Sequence, residues 1–128
     1  MNILETDRLI LREIDSAVDA EFIFELLNSP KFLKFIGDRG VRSTGESSVF
    51  IDERYRQSYR EHGYGLYTVQ RRDDGIAVGM CGFVRRESLS GPDLGFAFLP
   101  EFERMGFGRE SASAVLKYGR DKLGFDSV

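Results

Sequence analysis

Two glycines one residue apart, Gly106 and Gly108, stand between the apolar run DLGFAFL at 93–99 and the amphipathic run ESASAVLKYGRDKLG at 110–124. Arg104 and Arg109 flank them. With a strand before and a helix after, this pair opens the helix, where the first amide N–H groups lack internal partners and the helix dipole adds positive partial charge. That arrangement holds anions, phosphate above all. Glycine lets a ligand come against the backbone, because no β-carbon stands between. A tight turn alone would use the same two residues, and the bare G-x-G spacing does not choose between the two readings. Asp93, at the start of the apolar run, follows Gly91-Pro92 and can close that turn.

The other reactive side-chain types are sparse. Cys81, the single cysteine, lies inside IAVGMCGFV and reads as a buried small hydrophobe. His62, the single histidine, precedes Gly63 and reads as an exposed helix end. One of each supports neither a zinc site nor a Cys–His nucleophile pair, so no metal is expected. A dinucleotide fingerprint fails because position 111 is serine, and no Gly-Lys-Ser/Thr is present for a nucleotide loop.

The elements that must position these residues can be read in order. DRLILREI, 7–14, alternates as a first strand. Ser16 and Asp19 then suggest a capping box for a helix burying Val18, Phe22 and Leu26, ended by Asn28-Ser29-Pro30. KFLKFIG suits a short turn of helix, and GDRGVRSTG reads as loop. Ser43 and Glu46 cap a second helix to about Glu61, with Ile51, Tyr55 and Tyr59 inward. Strands follow at 64–70, 76–84 and 93–99, the first two joined by Arg72-Asp73-Asp74-Gly75 and the next pair by Arg85 to Pro92. A helix from about Arg109 to Leu123 buries Ala112, Val115, Leu116, Gly119 and Leu123, with Gly124 to end it and FDSV starting one more strand. The plan is α+β: an antiparallel meander, then a strand–helix–strand crossover in a mixed sheet.

With 128 residues, 41% hydrophobic and 30% charged, the chain suits one soluble domain over residues 1–128. A net charge of −3 gives no general attraction to nucleic acid or to an anionic membrane. The single cysteine, the absence of a signal-peptide pattern in MNILETDRLILREI and the lack of an apolar run near ~20 residues point to the cytoplasm.

The stretch DLGFAFLPEFERMGFGRESASAVLKYGRDKLGFDSV resembles the acetyl-CoA segment of the GNAT N-acetyltransferases, in particular the RimJ/RimL branch that modifies ribosomal protein N-termini. That branch has E-I-G-Y-W-L and then P-E-Y-W-G-K-G-Y-A-T-E-A. Without gaps, Pro100, Glu101, Phe102, Gly106, Phe107, Gly108 and Glu110 fall on identical or similar types. Thr6 onward, TDRLILREI, matches the T-E-R-L-I-L-R opening, and Gly63-Tyr64-Gly65-Leu66 also has a similar run in the family. The resemblance implies that the backbone at Phe96, Ala97 and Phe98 meets the pantetheine arm of acetyl-CoA. It implies that Arg104, Met105, Gly106, Phe107, Gly108 and Arg109 hold the pyrophosphate. It also implies direct attack of a primary amine, a protein N-terminus or a small molecule, on the thioester, with Asp93 as base and an oxyanion donor near Ala97 or Phe98. Tyr64, Tyr67 and the loop Asp38–Arg42 are candidates for the acceptor pocket, with core the favoured place for the tyrosines.

The loop departs from the family pattern at Glu103, whose charge must turn away from the pyrophosphate or weaken binding, and at Arg104-Met105, which replaces Gly-Lys and stiffens the turn. Only 20 residues follow Gly108, fewer than the family's remaining helix and strands require. Two classes therefore stay open: an N-acetyltransferase, completed in a homodimer in one reading, and a non-catalytic fragment that binds CoA or another protein.

Overall fold

The computed structural model describes residues 2–85 and 91–125. Its sheet has five strands, β1 (Asn2–Glu5), β2 (Leu9–Glu13), β3 (Leu66–Arg71), β4 (Ala77–Arg85) and β5 (Pro92–Phe98), in that spatial order and all antiparallel. The expected meander is thus present. The strand expected at FDSV and the middle of the Arg85–Pro92 link lie outside the described residues. The single N-terminal strand read from the sequence is a hairpin, because β1 turns back on β2 through Thr6, whose N–H donates to Leu9 O at 2.9 Å. Four residues of mixed polarity carried no strand periodicity of their own.

Between β2 and β3 run α1 (Ser16–Leu27), α2 (Pro30–Phe35), α3 (Thr44–Phe50), a π-helical segment (Ile51–Tyr55) and α4 (Arg56–His62). The cap of α1 is Asp15, not Ser16: its carboxylate accepts from Ala17 N–H at 2.7 Å, while Asp19 reaches back to Asp15 N–H at 2.9 Å. Asp19 also takes two guanidinium bonds from Arg12, both 2.8 Å, and one from Thr68 Oγ1 at 3.1 Å. That buried network turns the Asp19 side of α1 onto the sheet. Ile23, Leu26 and Leu27 follow it inward, and Val18, one position away, is 69% exposed instead of buried.

The second cap is as expected, with Ser43 Oγ accepting from Glu46 N–H at 3.1 Å. The helix after it is not regular. Ile51, Tyr55 and Tyr59 repeat every four residues, and in an α-helix of 3.6 residues per turn that spacing drifts around the axis. A wide turn at Ile51–Tyr55 takes up the drift, so Ile51 and Tyr55 are buried and Tyr59 still donates its hydroxyl proton to Leu66 O.

A 3-10 turn (Pro100–Phe102) leads from β5 towards α5 (Phe107–Asp121). Helix α5 starts two residues before the sequence suggested; Val115 and Gly119 are buried as expected, in line with Phe107 and Ser111, while Ala112, Leu116 and Leu123 are half-buried. A β-carbon at Gly119 would lie 2.6 Å from Phe83 Cζ, which is how closely α5 meets β4. Gly124, at φ +73°, ends the helix, and Phe125 N–H returns to Gly119 O at 2.9 Å.

Two cores result. On the α5 face, Leu9, Leu11, Val69, Cys81 and Phe83 pack with Tyr64 and Tyr67, which are core residues and not pocket walls. On the opposite face, Met80 and Leu99 pack with Ile14, Ile23, Phe32 and Ile51. Among the described residues no helix is long and apolar enough to cross a membrane.

Candidate functional site

Strand β5 lies at the end of the sheet, and among the described residues no strand pairs with its outer side. Leu99 N–H donates to Val78 O at 3.0 Å, which fixes the alternation of the ladder. In an antiparallel pair every second residue turns both backbone groups towards its partner. Ala97 therefore points its amide at β4, and Phe96 and Phe98 point theirs outward. Of the two expected oxyanion donors, only Phe98 has an N–H aimed away from the sheet.

A groove of about 300 Å³ runs from this edge to the start of α5. Its walls include Phe96, Ala97 and Phe98 from β5, Arg104 and Gly108 from the glycine junction, and Phe32 from α2. The fold thus brings five of the sequence-nominated residues to one cleft. Gly106, Phe107, Met105 and Arg109 are not among its walls. Phe107 is buried in the α5-side core, and Gly106, at φ +83°, is the cap preceding α5.

The reason lies behind the loop. Arg8 donates from Nη1 to Met105 O at 2.9 Å and from Nε to Glu110 Oε1 at 2.7 Å, and it covers the Phe107 ring at 4.6 Å. Glu110 also accepts from Arg8 N–H at 2.9 Å and from the Thr6 hydroxyl. Burial opposes the charge on Glu110, but the hydrogen bonds from Thr6 and Arg8 outweigh it and hold the carboxyl below its ordinary range. The TDRL motif and Glu110, separate in the sequence, form one clamp that fixes the junction from its rear. A β-carbon at Gly106 would meet Arg8 Nη2 at 3.1 Å, so glycine there serves the clamp as well as the turn.

Arg104 has φ +67°, the left-handed region where the family has glycine, so the substitution costs backbone strain while presenting a cation to the groove. Glu103 also borders the groove but is paired with Lys31 of α2, Nζ to Oε2 3.1 Å. Its charge is offset across the groove mouth, a partner that sequence reasoning did not provide. Cys81 is buried, and burial pushes its thiol up to about 11, which suits the structural reading.

A second groove of about 520 Å³ shares Phe32, Ile36 and Phe96 with the first and continues between α2, the π segment and β3–β5. Arg39, Arg54 and Arg85 stand around it. Of the loop Asp38–Arg42, only Arg39 borders this groove; Asp38 is occupied by Arg42, which with the Gly40 amide lowers its carboxyl to about 2. Asp93 lies opposite Val84 in the β4–β5 ladder, on the sheet face of Gly95 and Met80, and lines neither groove. Among the described residues no cluster of His, Cys, Asp and Glu could hold a metal.

The family model described as an acetyltransferase (GNAT) domain matches residues 8–128. The chain is 32% identical over 127 residues to the uncharacterized N-acetyltransferase YoaA of Bacillus subtilis (strain 168), covering 98% of this chain and 71% of that protein. A GNAT-family acetyltransferase from Bacillus anthracis superposes with a TM-score of 0.76 at 24% identity, covering 98% of this chain and 69% of the other. RimL, a ribosomal L7/L12 alpha-N-protein acetyltransferase in complex with coenzyme A, superposes with a TM-score of 0.72 at 17% identity, covering 97% of this chain and 70% of the other. At such identities the two structures speak for the fold, whereas the family model and YoaA speak for descent. With a glycine junction clamped behind an open sheet edge, and matches that run almost from end to end, the chain belongs to the GNAT family of acetyltransferases.

Proposed function

We propose that the chain, as a single domain, binds acetyl-CoA along the β5 edge and the α5 N-terminus and transfers the acetyl group to a primary amine, a protein N-terminal α-amine being the favoured acceptor. GNAT acetyltransferases use acetyl-CoA, and the observation that supports its place here is the groove joining Phe96 and Phe98 to Arg104 and Gly108. The outward amides of Phe96 and Phe98 would act towards the pantetheine as a missing strand does. The first amides of α5 and the Arg104 guanidinium would meet the pyrophosphate. Met105, Gly106, Phe107 and Arg109 would contribute through loop backbone and local charge rather than as groove walls.

Attack requires a neutral amine. A lysine side chain costs roughly 4–5 kcal/mol to deprotonate at neutral pH and an α-amine only ~1, from ordinary pKa values of about 10.4 and 8. An N-terminal acceptor therefore manages with a modest base, for which Asp93 is the candidate through a bridging water. That Asp93 borders neither groove favours one second reading, a CoA-binding module without turnover.

Calorimetric titration with acetyl-CoA, followed by thiol release with a serine-led peptide, separates the readings. Saturable binding with thiol release that drops on Asp93→Asn supports transfer. Binding without release leaves the module, and a folded chain that binds no acetyl-CoA sinks both. Oligomeric state belongs in the same experiment, because a second copy adding to the β5 edge would compete with the cofactor for the same amides.

A further inference from the structure

We propose that the acceptor carries a carboxylate or phosphate near its reactive amine, and that Arg39, Arg54 and Arg85 bind it in the second groove. This rests on the acetyl-transfer reading and extends it to the acceptor's chemistry.

The 520 Å³ groove has Arg39, Arg54 and Arg85 around an apolar floor and, among the described residues, no Asp or Glu in its walls, although the chain as a whole carries −3. Six arginines elsewhere are ion-paired: Arg8 with Glu110, Arg12 with Asp19, Arg42 with Asp38, Arg56 with Glu13, Arg71 with Asp74 and Arg72 with Glu5. Arg39, Arg54 and Arg85 have no carboxylate within ion-pair distance among the described residues. Arg39 and Arg54 rest instead on aromatic faces, Phe32 at 5.9 Å and Phe50 at 5.4 Å, and Arg85 Nη1 donates to the Tyr64 hydroxyl at 3.3 Å. Stacking of this kind orients a guanidinium while leaving its N–H fork available, which suits bidentate capture of an oxyanion.

The three come from separate elements: the loop after α2, the π segment and the end of β4. Their convergence is a property of the fold and not of a local charge run. They also border the second groove and not the first, so the cofactor's pyrophosphate at Arg104 and Gly108 has its own cation. A positive surround has a second effect. It disfavours the protonated form of a nearby amine, making the neutral nucleophile easier to obtain. The same field disfavours polyamines, which bring several positive charges and no anion.

The test titrates four probes onto the chain, with and without saturating CoA: a serine-led peptide with acidic second and third residues, its counterpart with lysines there, glucosamine 6-phosphate, and spermidine. The expected result is that the acidic peptide or the sugar phosphate binds at least tenfold more tightly than the lysine peptide and spermidine. Which of the two binds better tells carboxylate from phosphate. Arg39→Ala and Arg54→Ala, both at exposed positions, should each weaken that probe about tenfold, the scale of one charge-assisted contact, with acetyl-CoA affinity and thermal midpoint unchanged. Spermidine binding as tightly as the acidic probes, or none of the probes binding, overturns the inference. So does a loss of acetyl-CoA affinity in the arginine variants with amine binding intact, since the arginines would then serve the cofactor. Failure of acetyl-CoA to bind the unaltered chain is a separate result, and it counts against the proposed activity alone.

Discussion

Replacing Gly108 by aspartate would put a carboxylate into the first groove at the second residue of α5. The site has room, because a β-carbon there meets only Phe98 Cε2, at an ordinary 3.7 Å. Its backbone is not left-handed, so no strain follows. An acid in the first helical turn complements the dipole by about 0.3–1 kcal/mol, and aspartate is better than glycine within a helix by roughly a few tenths of a kcal/mol. Stability should therefore hold or rise by roughly 1 kcal/mol. Binding should move the other way. At about 5 Å two unit charges interact by roughly 1 kcal/mol in water and roughly 3 kcal/mol at a surface-like dielectric. A pyrophosphate carries at least two charges, so the penalty is at least about 2 kcal/mol, or ~30-fold in Kd. Calorimetry with acetyl-CoA gives the affinity, and thermal unfolding with and without ligand gives stability and a second measure of binding. Gly108→Ala is the control: it adds the β-carbon without the charge, so its loss of affinity should be several-fold smaller than that of the aspartate variant. If the aspartate variant binds acetyl-CoA within threefold of the unaltered chain, the pyrophosphate does not lie over the start of α5, and the assignment of the groove is wrong. Gly106 is the poorer choice for this test, because a side chain there presses on Arg8 and is strained by its φ of +83°.

Other perturbations probe the same loop and its support. Arg104→Gly should relieve about 1 kcal/mol of left-handed strain and raise the thermal midpoint, while acetyl-CoA binds several-fold more weakly for want of the guanidinium. Lys31→Ala should weaken acetyl-CoA several-fold by leaving Glu103 uncompensated at the groove mouth, and Glu103→Gln should tighten it; equal effects of the same sign would refute the charge argument. Asp19→Ala should cost about 3–5 kcal/mol in urea unfolding, because it leaves Arg12 half-buried without its partner. On acidification Glu110 should contribute a loss of stability: its carboxyl is held below its ordinary value, so its contribution is complete above that value and disappears as pH falls through the lowered one. Glu110→Gln should flatten that part of the unfolding-versus-pH curve.

Local chemistry explains why so much of the architecture can be read from the chain. Ser43 caps its helix, Pro30 ends α1 and Asp74-Gly75 turns β3 into β4, each through neighbours within a few residues. The junction is legible for the same reason, since two glycines before an amphipathic run are a local signal. What escapes is set at long range. The inward face of α1 follows Asp19, whose partners Arg12 and Thr68 lie on other elements. Glu103 looked harmful because Lys31 is 72 residues away. Arg39, Arg54 and Arg85 share no periodicity and meet only once α2, the π segment and β4 are packed. Thr6, Arg8 and Glu110 were visible as motif matches, but their joint task was not, because the hydrogen bonds that define it span more than 100 residues.

The wide turn at Ile51–Tyr55 bears on how this stretch can change length over evolution. It holds one residue more than an α-helical turn would, and both flanking helices are packed on the assumption that the extra residue is there. Deleting one residue within it would restore regular winding but rotate one flank by about 100° against the other. Either α3 would lose its seat on α1, or Tyr59 would swing away from Leu66, and Arg54 would leave the rim of the second groove. Insertions elsewhere on the surface meet no such penalty. Related chains that conserve the inward tyrosines should therefore keep the residue count between Ile51 and Tyr59 fixed.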